Sequence, residues 1–126
     1  MTTILILEED PDVAETVRII AESKGFKTKN RYSLSGPLNQ FKGFDLLVMD
    51  ILNVSMSCED FLAKLNKQGI KKPIIILSGI GLPDREETII SKYANATILQ
   101  KTMIYEKLTN EIKQRLKILK DLSPEN

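Results

Sequence analysis

The stretch Phe44-Asp45-Leu46-Leu47-Val48-Met49-Asp50 sets four apolar residues in a row between two aspartates. That is the pattern of a strand buried on both faces, and Asp50 stands where the strand runs out. In open parallel α/β sheets the carboxyl ends of the strands form the crevice where ligands bind, so an acid on that rim is a functional candidate by position alone. A helix cap or a loop aspartate would look the same here, and the rest of the chain has to decide between them.

The flanking sequence repeats the pattern. Ile4 to Leu7 is an apolar run ending in Glu8-Glu9-Asp10-Pro11, and Asp10 with Pro11 opens a helix on which Val13, Val17, Ile20 and Ala21 recur at helical spacing up to Gly25. Phe26 to Tyr32 reads as a short polar edge strand, and Ser33 to Phe41 as a weak helix interrupted by Gly36-Pro37. After Asp50, a loop from Leu52 to Cys58 leads into a helix reaching Leu65. Pro73 to Leu77 is a fourth run, ending at Ser78-Gly79. Pro83-Asp84 then starts a helix carrying Thr88, Ile89, Ile90 and Tyr93, with Asn95 as its expected left-handed terminator. Ala96 to Leu99 is a fifth short strand, followed by Lys101. A last amphipathic helix runs from about Ile104 to Lys120, with Leu108, Ile112, Leu116 and Leu119 on one stripe. Strands and helices alternate five times, which predicts an α/β, doubly wound parallel sheet, because each crossover helix must pack back with one hand.

Composition narrows the chemistry. A chain of 126 residues, 42% hydrophobic, fits one compact domain with one core, and residues 1–122 are read as that domain with Ser123-Pro124-Glu125-Asn126 as a loose tail. Eighteen Lys and Arg against seventeen Asp and Glu give a net charge of +1, which makes no global case for nucleic acid or a membrane surface as a direct partner. The single cysteine, Cys58, cannot form an internal disulfide and reads as an inert loop thiol, and no basic segment followed by a long apolar run opens the chain, so a cytoplasmic location is expected. There is no histidine, which excludes imidazole-dependent triads and a phosphohistidine on this chain. The basic residues of the last helix, Lys113, Arg115, Lys117 and Lys120, read as a solvated face.

The strand ends carry the chemistry: Glu8 and Glu9 after the first, Asp50 after the third, Ser78 after the fourth and Lys101 after the fifth. Carboxylates gathered in one crevice repel one another unless a cation joins them, and hard oxygen ligands suit a magnesium-like ion. With a lysine opposite and a hydroxyl beside it, the set could hold a phosphoryl group on Asp50, the aspartate acting as nucleophile.

From Ile4 to about Leu119 the chain resembles the receiver domain of two-component response regulators. The resemblance rests on Glu8-Glu9-Asp10-Pro11 in the acidic-pair position, Met49-Asp50-Ile51 as the phosphoacceptor segment, Ile76-Leu77-Ser78-Gly79 as the Thr/Ser-bearing segment, and Lys101 as the lysine. It implies a flavodoxin-like (βα)5 fold with a five-stranded parallel sheet in the order 2-1-3-4-5. It also implies Asp50 as phosphoacceptor, Ser78 touching the phosphoryl group and Lys101 pairing with it. Magnesium would be held by Glu9, Asp50 and the backbone carbonyl of Leu52, with Glu8 standing behind these direct ligands. The partners implied are a sensor histidine kinase or phosphotransfer protein and a downstream protein or effector domain. The resemblance leaves room for a homodimer through the face of the Pro83 helix, the fifth strand and the last helix. Such a chain is a phosphoacceptor, not an enzyme in the ordinary sense, promoting at most its own phosphorylation and dephosphorylation.

The departures are as informative. The acidic pair is Glu-Glu where Asp-Asp or Glu-Asp is usual, so the longer Glu9 must fold back or displace the ion, and weak magnesium binding is expected. Val54 and Cys58 replace a usual Pro and Gly, and Thr102 follows Lys101 where Pro is usual. The family's Lys-Pro bond is commonly cis, and a non-proline residue is about 2.5–4 kcal/mol worse in that form, so either strain is retained or the loop differs. Ile98 occupies the place of the aromatic that switches rotamer in the family. Two functions follow: a phosphorylated signalling switch, or a degenerate receiver that binds partners without phosphorylation. A flavodoxin-like or small hydrolase-type domain is a third, against which the absence of a Gly-rich phosphate loop counts.

Overall fold

The structure, a computed structural model, describes residues 2–31, 43–52 and 56–122, the last five of them by backbone alone. The expected helix over Ser33 to Phe41, the Val54 position and the tail from Ser123 lie outside the described residues. Among the described residues there are five strands and four helices: β1 (Thr3–Leu7), α1 (Pro11–Ser23), β2 (Lys27–Arg31), β3 (Leu46–Asp50), α2 (Cys58–Lys67), β4 (Ile74–Ser78), α3 (Pro83–Lys92), β5 (Ala96–Gln100) and α4 (Ile104–Leu122). All strand pairs are parallel and the sheet order is β2-β1-β3-β4-β5, the doubly wound order expected.

Alternation along the strands builds two cores. Leu5, Leu7, Leu47, Met49, Ile74 and Ile76 face one side, where Phe61, Leu62 and Leu65 of α2 and Ile89 of α3 cover them. Ile4, Ile6, Leu46, Val48, Ile75 and Leu77 face the other, under Ala14, Val17 and Ala21 of α1 and Leu108 and Ile112 of α4. Burying each such side chain is worth about 1.5–3 kcal/mol, and a one-residue slip would exchange the two sets. The core therefore locks the register that leaves Asp50 opposite Leu77 and Ser78 opposite Gln100 at the strand ends.

Local signals set the element boundaries. The Asp10 carboxylate accepts the Asp12 N–H at 2.9 Å ahead of Pro11, and Ser57 Oγ accepts the Asp60 N–H at 3.1 Å to open α2. Gly25 closes α1 at a φ of 88°, its N–H donated to the Glu22 carbonyl. Two expectations are corrected. Asn95 is not left-handed, since among the described residues only glycines have positive φ; α3 instead ends through an extended Tyr93. The sheet captures Asn95 directly, its Nδ2 donating to the Lys72 carbonyl at 2.7 Å and its own carbonyl accepting the Ile74 N–H at 2.9 Å. Cys58 is the first residue of α2 and buried, not a loop thiol, because Ser57 caps the helix one residue earlier.

The two aspartates that bracket β3 do different work. Asp45, at its start, accepts the Thr3 N–H at 2.8 Å and ties the beginnings of β1 and β3 together, a structural bond. Asp50, at its end, is buried among charges.

Candidate functional site

Glu8, Asp50 and Ser78 are the buried polar side chains among the described residues, and each lies at the carboxyl end of a central strand. A buried carboxylate needs a partner, and Lys101 supplies it. Its Nζ lies 3.2 Å from Asp50 Oδ2 and 3.4 Å from Glu8 Oε1, reaching both acids from the end of β5. The other oxygens are held by backbone: Asp50 Oδ1 accepts the Leu52 N–H at 3.1 Å, and Glu8 Oε2 accepts the Asp10 N–H at 3.0 Å.

This geometry raises the proton affinity of both Glu8 and Lys101, for different reasons. Burial pushes the Glu8 carboxyl above the usual range, and the charge of Asp50 adds to it, against the Asp10 N–H and Lys101. For Lys101, burial works against the ammonium, but Asp50 and Glu8 outweigh it and hold its affinity above that of a free lysine. Glu8 Oε1 is buried without a hydrogen bond, Lys101 facing it across 3.4 Å.

Glu8, expected behind the direct metal ligand, is thus engaged with Lys101 itself, while Glu9 is half-buried at the same strand end. Among the described residues no three His, Cys, Asp or Glu side chains are gathered to hold a metal ion. Magnesium, however, commonly uses one or two carboxylates and completes its shell with water and phosphate. Two hard carboxylates, one with a buried oxygen lacking a hydrogen bond, fit that requirement.

Lys101 begins a 3-10 turn over Lys101–Met103, and no peptide bond among the described residues is cis. The loop therefore differs from the proline-containing form and retains no cis strain. Ile98 packs against the core on the α2–α3 side of the sheet.

Ser78 is at the rim, but its hydroxyl is directed elsewhere: Oγ donates to Glu86 Oε2 at 2.6 Å, and Gln100 Nε2 donates to the same oxygen at 3.0 Å. Arg85, next to Glu86, makes a two-pronged pair with Glu59 at 2.8 and 2.6 Å and donates to the Ile51 carbonyl at 3.2 Å. These neighbours did not emerge from the sequence; the first-turn position of Arg85 and Glu86 after Pro83 was visible, but which strand ends that turn meets was not. Leu52 and Ile80 are exposed apolar residues beside Asp50 and Ser78 in the chain. Cys58 is inert: burial above all, with the Glu59 charge, pushes its thiol up to about 12.

No family model matches the chain. Among curated proteins, the nisin biosynthesis regulatory protein NisR of Lactococcus lactis subsp. lactis is 28% identical over 90 residues, covering 70% of this chain and 38% of its own. The cell cycle transcriptional regulator CtrA of Caulobacter vibrioides is 32% identical over 78 residues, 60% of this chain and 34% of its own. The chain thus spans little more than a third of the length of these relatives. A response regulator receiver domain protein from Clostridium thermocellum superposes with a TM-score of 0.86 at 20% identity, covering 98% of this chain and 100% of that one. A receiver domain protein from Methanospirillum hungatei JF-1 gives 0.86 at 20% identity, covering 98% and 99%. The signal receiver domain of a LuxO repressor protein from Vibrio parahaemolyticus gives 0.82 at 21%, covering 99% and 98%. The fold is that of response-regulator receiver domains over essentially the whole chain.

Proposed function

We propose that this chain, which has the receiver-domain fold, accepts a phosphoryl group on Asp50 from a phosphohistidine on a partner protein and thereby alters a protein-binding surface. The observation that carries the reading is Asp50 buried at the end of β3 with Lys101 Nζ 3.2 Å away. In the transfer, an Asp50 carboxylate oxygen bonds to phosphorus, the P–N bond breaks, and the imidazole leaves with the electron pair. Backbone held to Asp50 Oδ1 fixes the nucleophile, and the Lys101 ammonium, fully charged at neutral pH, meets the negative phosphoryl oxygens.

Magnesium would be held by Asp50 and the Glu8-Glu9 pair, with the Leu52 carbonyl, and when bound supplies further positive charge to the phosphoryl oxygens. It would compete with Lys101 for the same carboxylates, a second reason besides the length of Glu9 to expect weak binding. The donor partner would be a sensor histidine kinase or phosphotransfer protein. An apolar groove of about 180 Å³ beside Lys101, lined by Val13, Thr16, Ile104 and Tyr105 among others, offers it a contact between α1 and α4. The output partner, a downstream protein, an effector domain or a second copy, would read the face of α3, β5 and α4. Among the described residues no helix is long and apolar enough to cross a membrane.

The second reading, a receiver that binds partners without phosphorylation, is favoured by the Ser78 hydroxyl being bonded to Glu86. Intact mass after incubation with magnesium and acetyl phosphate separates the two. The parent should gain one phosphoryl group and Asp50→Asn none; equal labelling of the Asn variant would remove Asp50 from the role, and an unlabelled parent at saturating magnesium would favour the second reading.

A further inference from the structure

Two consecutive residues in the first turn of α3 are tied to two strand ends at the candidate site. Arg85 Nη2 donates to the carbonyl of Ile51, the residue after Asp50, and Glu86 accepts the hydroxyl proton of Ser78. We propose that Glu86 is a positioning residue that holds the Ser78 hydroxyl away from Asp50 in the resting chain, with Gln100 as its second anchor, and releases it when a phosphoryl group arrives. This rests on the phosphoacceptor reading above and adds the residues that govern it.

A serine hydroxyl has one proton and can donate to one acceptor at a time. Ser78 is fully buried, and its hydroxyl donates to Glu86 Oε2 at an O···O distance of 2.6 Å, within the span of about 2.5–2.7 Å typical of a charge-assisted O–H···O bond. Its alternative acceptor in the chain, the Gly79 carbonyl, is at 3.4 Å. To serve an anion on Asp50, the hydroxyl must leave Glu86. Gln100, opposite Ser78 across the β4–β5 ladder, then remains as the donor to the same carboxylate oxygen. Occupancy of Asp50 is thereby converted into a change in how α3 is joined to β5. This route is polar, and it passes where Ile98, packed on the core, offers no aromatic ring to move.

The test uses the full chain with magnesium and acetyl phosphate, following intact mass over time. Glu86→Gln keeps the shape and removes the charge; Glu86→Leu removes the acceptor, and the Gln variant decides if the Leu variant does not fold. Loss of a charge-assisted bond should speed labelling or raise the labelled fraction about tenfold. The same change in a Ser78→Ala background should have no such effect, and the Gln100 side-chain amide resonance should move both on Glu86→Gln and on labelling of the parent. Labelling of an otherwise silent parent by Glu86→Gln would support the proposal equally. If the parent labels and the Glu86 variants are no faster, or the gain persists without Ser78, the holding role is overturned while Asp50 keeps its own. If no variant labels, the phosphoacceptor reading falls and this proposal with it.

Discussion

Lys101→Met removes the ammonium that faces two buried carboxylates and keeps most of the side-chain volume. At 3.2 and 3.4 Å, and an effective dielectric of about 20, each contact is worth roughly 5 kcal/mol of gross attraction. Desolvation of three charged groups offsets most of this, and breaking a buried pair costs about 3–5 kcal/mol net. Lys101 is part-exposed, so the lower end applies: a loss of about 3 kcal/mol near neutral pH. The pH dependence follows from Glu8, whose folded carboxyl already binds its proton more tightly than in the unfolded chain. For an acid shifted upward, the folded state binds more protons between the two pKa values, so the penalty of its charge is complete above the folded value and vanishes below the unfolded one. Removing Lys101, which opposes that shift, widens the window. The lysine itself, with its affinity raised, contributes stability that is complete below the ordinary lysine value and is lost only as pH rises through its higher folded one. In urea unfolding the variant should therefore lose about 1–3 M in midpoint at pH 7.5 and clearly less at pH 4. Adding Glu8→Gln should recover part of the loss at pH 7.5. An equal loss at both pH values, or no recovery with Glu8→Gln, would refute the reasoning that Lys101 is retained by these two acids.

Glu9→Asp shortens the side chain by one methylene and should tighten magnesium binding, which isothermal titration measures directly; equal or weaker affinity would count against the side-chain-length argument. Leu52 and Ile80 follow Asp50 and Ser78 by two positions and carry exposed, apolar side chains that cannot orient an in-line water, so an acyl phosphate on Asp50 should be long-lived. Leu52→Asn or Ile80→Glu should hasten its decay after the donor is removed, with little change in stability; a parent that decays as fast as both variants would contradict this.

The fold was legible in the sequence because its central strands are buried on both faces. Runs such as Leu46 to Met49 and Ile74 to Leu77 must be apolar throughout, so the first polar residue after each one marks the rim of the sheet. Glu8, Asp50, Ser78 and Lys101 were visible for that reason alone: each follows or ends a strand, and parallel strands end on the same side. The role of Asn95 is not legible in sequence, because a terminator before a strand and a strand-start residue bonded to Lys72 have the same local pattern. The partners of the site residues had a different origin. That Lys101 spans Glu8 and Asp50 together, that Glu86 and Gln100 take the Ser78 hydroxyl, and that Arg85 reaches the Ile51 carbonyl across 34 positions depend on how α3 and the turn after β5 settle on the sheet. Local pattern specifies which side chains stand at a strand end, because periodicity and burial act over a few residues. Which of them touch is decided only when helices distant in sequence pack onto a common core, and it is the packing of α3 that brings Glu86 to the Ser78 hydroxyl.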